Sequence, residues 1–229
     1  VTWAHIAALG GVAVCILAPL LTRVRIPSIV ALGVSALGAL AGLSGAVGLV
    51  LRGGPHSMAI VGAVPFVGFL IFWFGHRKYP VMNDITTDLE DPPAFVAAAD
   101  LGPNQRKNLE FRTRNVAMQR EHYPQVKPFR TKAVPDAVFK VAKEAGRDFD
   151  WHLHAVDDEA RTYEAVSITG QFRFRDDVAV RVRVDGEVTV LDVRAKARDG
   201  RADFGMNARR IQDLLAAVRV RLPAELEVD

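Results

Sequence analysis

No acidic residue precedes Asp84, and from Val1 to Gly75 the only formal charges are Arg23, Arg25 and Arg52. Three apolar runs fill that stretch: Thr2 to Leu21, Ile26 to Leu51 and Met58 to Gly75. Each is near or above the roughly 18 apolar residues that a helix needs to cross a bilayer. Lipid offers no partner for backbone N–H and C=O groups, so a chain in lipid must satisfy them itself as helix. Only TRVR and RGGPHS separate the runs, which argues against a buried soluble hairpin. The first run has no small-x-small cleavage site before a polar chain, so it is expected to be retained as a helix. The single cysteine, Cys15, lies within it and has no intramolecular disulfide partner.

The second run is rich in small residues. Gly38 and Gly42 form a G-x-x-x-G step, and Ala41–Gly45 and Ser44–Gly48 repeat the spacing. Small residues four apart allow close helix approach. They would serve packing within the chain or a docking face for a foreign helix, and Gly38, Gly42, Gly45 and Gly48 are the candidate helix-packing partner site. Trp3, Phe72, Trp73, Phe74 and Tyr79 are placed as interface anchors. Arg23, Arg25, Arg77 and Lys78 flank one side and Arg52 the other, so the positive-inside rule puts the C-terminal remainder of the chain in the cytoplasm.

Composition then changes. The chain of 229 residues has a net charge of +3, and nearly all its charged residues lie beyond the apolar runs. The expected organisation is a three-helix transmembrane anchor at 1–78, an acidic proline-containing tether and irregular segment at 79–130, and a soluble α+β domain at 131–229. Tyr79 to Phe95 is broken by Pro80, Pro92 and Pro93 and made acidic by Asp84, Asp88, Glu90 and Asp91. Asp84, Asp88, Pro92 and Pro93 are its defining residues, the acids reading as turn caps rather than cation ligands. A short helix is expected over Ala94 to Asp100, and an irregular chain from Gly102 to Arg130.

From Val134 the pattern sharpens. Val138, Phe139, Ala142 and Ala145 share a helical face after Pro135-Asp136. Strands are expected at Trp151–Val156, Tyr163–Ile168, Asp177–Val184 and Val188–Arg198, with a turn at Asp185-Gly186. A final amphipathic helix over Asn207–Leu222 buries Ile211, Leu214, Leu215 and Val218. The fold class is therefore three transmembrane helices followed by a small α+β domain: helix, about four antiparallel strands, helix. One sheet face would pack the helices. The other would expose Arg181, Arg183, Arg194, Lys196 and Arg198, with Arg173 or Arg175 near the edge. That stripe suits solvent, an acidic protein surface or anionic lipid headgroups. It lacks interleaved aromatics, so nucleic acid is not an expected partner.

The segments Asn83–Phe95 (NDITTDLEDPPAF), Phe172–Arg183 (FRFRDDVAVRVR) and Asp192–Ile211 (DVRAKARDGRADFGMNARRI) carry a resemblance. So does the pattern Gly-x-x-Asp-x-Gly-x-Asn-x-Arg-Arg-Ile from Gly200 to Ile211. The chain resembles domain-of-unknown-function family 1499 from about Pro80 onward, and its three spans resemble the membrane-anchored bacterial members. Members that look like secreted lipoproteins or lumenal plant proteins imply an extracytoplasmic domain. That conflicts with the arginine count; the resemblance is given the greater weight, so a bacterial inner membrane with a periplasmic domain is expected. The family offers no catalytic residue to carry over.

Candidate chemistry is sparse. His152 and His154 point the same way on a strand and could hold a metal, but no third ligand has matching spacing. Asp176 and Asp177 are adjacent on a strand and face opposite ways, so they do not make a catalytic pair. A helix N-terminus after Gly205 could help hold an anion. The chain has no G-x-S-x-G, P-loop, H-E-x-x-H or C-x-x-C motif. No catalytic residue, cofactor or metal is expected. The expected function is a non-catalytic accessory or assembly subunit of a larger membrane complex, with other subunits and membrane lipids as partners and a photosynthetic or respiratory assembly as a natural host. The alternative is an anchored binder of lipid or a small hydrophobe.

Overall fold

The computed structural model describes residues 2–24, 26–102, 104–105, 107–170 and 172–228. Arg25, one of the loop arginines in the charge count, lies outside the described residues. The chain forms two compact units: Val1–Lys78 with Thr169–Phe174, and Tyr79–Ile168 with Arg175–Asp229.

The first unit contains three helices long and apolar enough to cross a membrane. They are α1 (Trp3–Leu17), continued by a 3-10 turn over Ala18–Val24, α2 (Ser28–Leu51) and α3 (His56–His76). Their large side chains point outward: Ile6, Leu37, Ile60, Ile71 and Trp73 are all exposed on the bundle. That inverts a soluble protein, because lipid tails are as apolar as leucine and drive no burial of them. What meets in the middle is small. A Cβ on Gly42 would lie 2.5 Å from the Gly62 carbonyl oxygen, and one on Gly38 2.8 Å from Val14 Cγ1. One on Gly45 would overlap the Ala8 backbone nitrogen, and one on Gly48 would reach the Trp3 ring. Of the two uses open to Gly38, Gly42, Gly45 and Gly48, the structure shows packing against α1 and α3 of the same chain. At the end of this seam Arg52 stacks 5.0 Å over Trp3.

The second unit is built on a six-stranded sheet in the order β1-β6-β5-β4-β3, with β2 also on β6. The strands are β1 (Asp84–Thr86), β2 (Phe129–Thr131), β3 (His152–Asp157), β4 (Thr162–Thr169), β5 (Phe174–Asp185) and β6 (Val188–Ala197). The four expected strands are present, and the two added ones come from the stretch expected as tether and irregular chain. Three residues each of β1 and β2 lie in tandem along the free edge of β6, with Ile85 opposite Ala195 and Phe129 opposite Leu191. They are too short to show a period, which is why the sequence hides them. The same stretch holds a 3-10 turn at Ala97–Asp100 and helix α4 (Arg114–His122). In the β5–β6 hairpin Asp185 pairs with Val188, so Gly186 and Glu187 form the loop, and Gly186 supplies the positive φ of +62°.

Helices α5 (Pro135–Asp148) and α6 (Met206–Arg221) cover one face of this sheet. Val178, Val180, Leu191, Val193 and Ala195 meet Val138, Ala142, Ile211, Leu214 and Val218 there, all essentially sealed from solvent.

The glycine seam yields a test. Gly42→Leu and Gly45→Leu should each destabilise the helix bundle by about 1–3 kcal/mol or more. Gly33→Leu, where an added Cβ meets nothing within 4 Å, should be neutral. Thermal melts of the detergent-solubilised protein measure the difference.

Candidate functional site

The second face of the sheet alternates with the first, so it collects Asp177, Ala179, Arg181 and Arg183 from β5 and Asp192, Arg194 and Lys196 from β6. This is the expected basic stripe, but it is neither free nor bare. The described residues of the segment 88–111 run across it as a strap, and carboxylates sit between its cations.

Arg194 is 2% exposed. Its Nε and Nη2 each donate to a different oxygen of Asp84 at 2.9 Å, a fork-on-fork pair. The remaining donors reach the strap carbonyls of Pro93 at 3.2 Å and Leu109 at 2.6 Å. The rings of Phe95 and Phe111 lie 4.7 and 5.5 Å from the guanidinium. Lys196 also binds Asp84, at 2.9 Å. Arg198 forks onto Asp177 at 2.6–3.1 Å. Arg181 and Arg183 share Asp192, at 3.1 and 2.8 Å, and both approach Asp88. Arg181 reaches Asp91 too. Five cations thus face five carboxylates. Asp84, Asp88 and Pro93, expected in a tether, are parts of this layer, and Pro92 lies half-buried beside it.

The strap has a second set of fastenings, absent from the sequence-based expectations. Glu164 on β4 accepts the N–H groups of Val96, Ala97 and Ala98 at 2.7–2.8 Å and so caps the 3-10 turn from below. Asn104 donates to Ala98 O and to Asp177. Phe95 and Ala98 pack on Ala179, a small apolar island in the polar face. Gln119 of α4 offers its amide to the edge of β1: Oε1 accepts the Thr86 N–H at 3.1 Å, and Nε2 donates to Thr86 O. The amide imitates a neighbouring strand where backbone ends. Glu164 does carry a signal in the sequence, since it is the one charged residue in the run Tyr163 to Ile168. Gln119 carries none, because its partner is distant in sequence.

Asp176 and Asp177 point to opposite faces, as strand geometry requires, and each is buried on an arginine. Asp177 holds Arg198, and Asp176 receives Arg210 Nη2 at 2.7 Å. The Gly200–Ile211 pattern builds the other half of this fastening. Asp203 accepts the backbone N–H groups of Gly205 and Asn207 at 3.0 and 2.9 Å. It fills the N-terminus of α6, which the sequence alone leaves open to an outside anion. Burial pushes the Asp203 carboxyl above its ordinary range, against the pull of those two N–H bonds. Asn207 donates to Asn83 O at 3.1 Å and accepts from Arg210. Gly205, at φ +81°, has no room for a Cβ against the Tyr79 ring. Tyr123 lies beside it, pushed up to about 12 by burial with Asp203 and Tyr79 adding.

His152 and His154 do not form a pair with a third ligand: among the described residues no group of three His, Cys, Asp or Glu could hold a metal. A bulge between Leu153 and Ala155 displaces His154 from regular pairing. His152 is exposed, while the Nε2 of His154 is buried without a partner. Burial lowers the His154 pKa, against the opposing pull of Glu164 and Asp177; Arg198 and His152 add to the lowering.

Two open clefts flank the strap. One of about 420 Å³ is lined by Thr87, Asp88, Gln119, Tyr123, Lys127 and Arg183. The other, about 410 Å³, is lined by Pro93, Val96, Val156, Tyr163, Glu164 and Arg181 among others. The acids at their walls are already engaged: Asp88 by arginines, Glu90 by Arg120, and Asp157 and Glu164 by backbone N–H groups.

This layer generates two tests. Arg194→Met leaves Asp84 facing Lys196 alone and the Pro93 and Leu109 carbonyls unmet, so it should cost roughly 3–5 kcal/mol in denaturant unfolding. Arg120→Ala, which breaks only the exposed pair with Glu90, should cost little by comparison. The second concerns His154. The folded state resists a proton that the unfolded chain accepts at 6.5, so stability is full above that value and falls as pH drops through the lower folded one. His154→Gln should flatten the decline in melting temperature between about pH 7 and pH 5.

No curated protein matches the chain. The family model described as "Protein of unknown function (DUF1499)" matches residues 84–218, which begin at β1 and end within α6 and so take in the whole strapped sheet. More than half of the chain is covered, and the chain belongs to the DUF1499 family.

Proposed function

We propose that this chain is a non-catalytic accessory or assembly subunit of a larger integral membrane complex, with its domain on the periplasmic side of a bacterial inner membrane. A photosynthetic or respiratory assembly fits such a subunit. The observation that carries the reading is where the domain's charge goes. Asp84, Asp88, Asp91, Asp177 and Asp192 are taken up by Arg181, Arg183, Arg194, Lys196 and Arg198, and Asp203 and Glu164 by backbone N–H groups. Groups fixed in this way hold a shape rather than move protons. A catalytic site needs convergent titratable groups with free valences.

Docking in this reading uses outward surfaces. The glycine seam of α2 is filled by α1 and α3, so a foreign helix would meet the large exposed side chains of α3 and the outer face of α2. The competing reading, a binder of lipid or a small hydrophobe, would seat its ligand between the sheet and α6. Ile211, Leu214 and Val218 are sealed against Val193 and Ala195 there, which weighs against it.

Purification from native membranes in mild detergent through a C-terminal tag tests the proposal. It predicts stoichiometric recovery of one large membrane complex. Recovery of the chain alone overturns it.

A further inference from the structure

The arginines of the sheet face are spent on carboxylates, but two others are not. Arg173 and Arg175 are exposed, and among the described residues their side chains have no ion pair or hydrogen bond. They alternate with Phe172 and Phe174 at the tip of the β4–β5 hairpin. The two rings rest on each other, with centroids 6.4 Å apart. Ile168, on the other arm, is 44% exposed. Gly170 and Arg173 both adopt positive φ, +64° and +51°, so the backbone doubles back tightly and presents this short apolar and cationic group at its end.

The end of the sheet at which this tip projects is set by hydrogen bonds within the domain. Asp176 pairs with Ala197, and Arg198 N donates to Arg175 O at 3.0 Å, so the tip lies beyond the C-terminal end of β6. The chain joins the sheet at the same end. Ala197 N donates to Asn83 O at 2.8 Å, Asn83 Nδ2 to Gly200 O at 2.8 Å, and Asp203 N to Met82 O at 3.1 Å. Only Arg77 to Met82 lie between α3 and that point. Six extended residues reach at most about 20 Å. The β5–β6 turn at Gly186-Glu187 lies at the opposite end of the sheet.

We propose that the β4–β5 tip is a membrane-interface anchor: Phe172, Phe174 and Ile168 enter the boundary between headgroups and acyl chains, and Arg173 and Arg175 bind lipid phosphates. Aromatic rings favour this boundary, and arginine stems lie along apolar matter while the guanidinium reaches anionic groups. Each basic residue near an anionic surface adds attraction that falls away within a Debye length. The anchor would fix the orientation of the domain against the bilayer. It stands independently of the accessory-subunit reading and is testable without any partner.

The experiment uses the full chain with Cys15→Ser, which removes its single cysteine, in nanodiscs of phosphatidylcholine with phosphatidylglycerol. A nitroxide is attached at Arg173→Cys, at Arg175→Cys as a second variant, and at Glu187→Cys as the control at the far turn. Collision with oxygen, which partitions into lipid, is compared with collision with a water-soluble nickel chelate. The expected oxygen-to-nickel ratio at 173 and 175 is several-fold above that at 187. It should fall toward the value at 187 when Phe172→Ser and Phe174→Ser are added. Ratios at 173 and 175 equal to that at 187 overturn the anchor. So does a label immobile and shielded from both reagents, which marks a protein contact instead.

Discussion

The Arg194–Asp84 pair is the constraint on which the sheet domain rests. Asp84 opens a strand only three residues long, and three residues of ladder cannot hold a chain on a sheet by themselves. The pair adds two charge-assisted hydrogen bonds across that ladder, and Lys196 adds a third to the same carboxylate. A buried ion pair must offset a large desolvation cost, which demands that nearly every donor be met. Here every donating nitrogen of Arg194 meets an acceptor: Asp84, Pro93 O or Leu109 O. Two aromatic rings flank its plane. The strap is thus a requirement of the pair as much as the pair is a fastening for the strap.

From that point the layer spreads along the sheet by alternation. Asp192 lies between Arg181 and Arg183, and Asp177 under Arg198. Cations that would repel across neighbouring strands are separated by carboxylates, and a stripe that would raise the local potential becomes neutral. The ends of the strap are met in the same manner, with Glu164 capping its 3-10 turn and Gln119 standing in for a strand beside Thr86. On the helix side, Asp203, Asn207, Arg210 and Asp176 tie α6 to the start of β1 and β5. The segments by which the family is recognised, Asn83–Phe95 and Gly200–Ile211, are the two sides of these fastenings. Their specificity is explained by architecture.

The membrane unit obeys the opposite solvent rule with equal consistency. In water the sheet buries valine and leucine; in lipid the bundle buries glycine and alanine and turns isoleucine, phenylalanine and tryptophan outward. Gly42 stands where all three helices meet, against Gly11 on one side and Gly62 on the other. A small-residue repeat states that a helix will come close, but it carries no sign of whose helix that is.

The sequence by itself determined the elements with a period and the spans with a length. Three charge-free runs required three helices, strict alternation at 177–184 and 188–198 required a hairpin, and 3.6-residue spacing placed α5 and α6. Family membership was legible in short patterns for the same reason, since each is local. Tertiary structure alone decided the rest. Strands β1 and β2 are too short for a period, α4 has no clean apolar stripe, and Gln119 and Asn104 act on residues far along the chain. It also decided that Arg181, Arg183 and Arg194 are paired with carboxylates, and that Arg194 is buried. Alternation tells which side chains share a face, because that is dictated by the backbone of one strand. What covers the face is set by a different segment folding over it, and its acids at 84, 88 and 91 find their partners only in three dimensions.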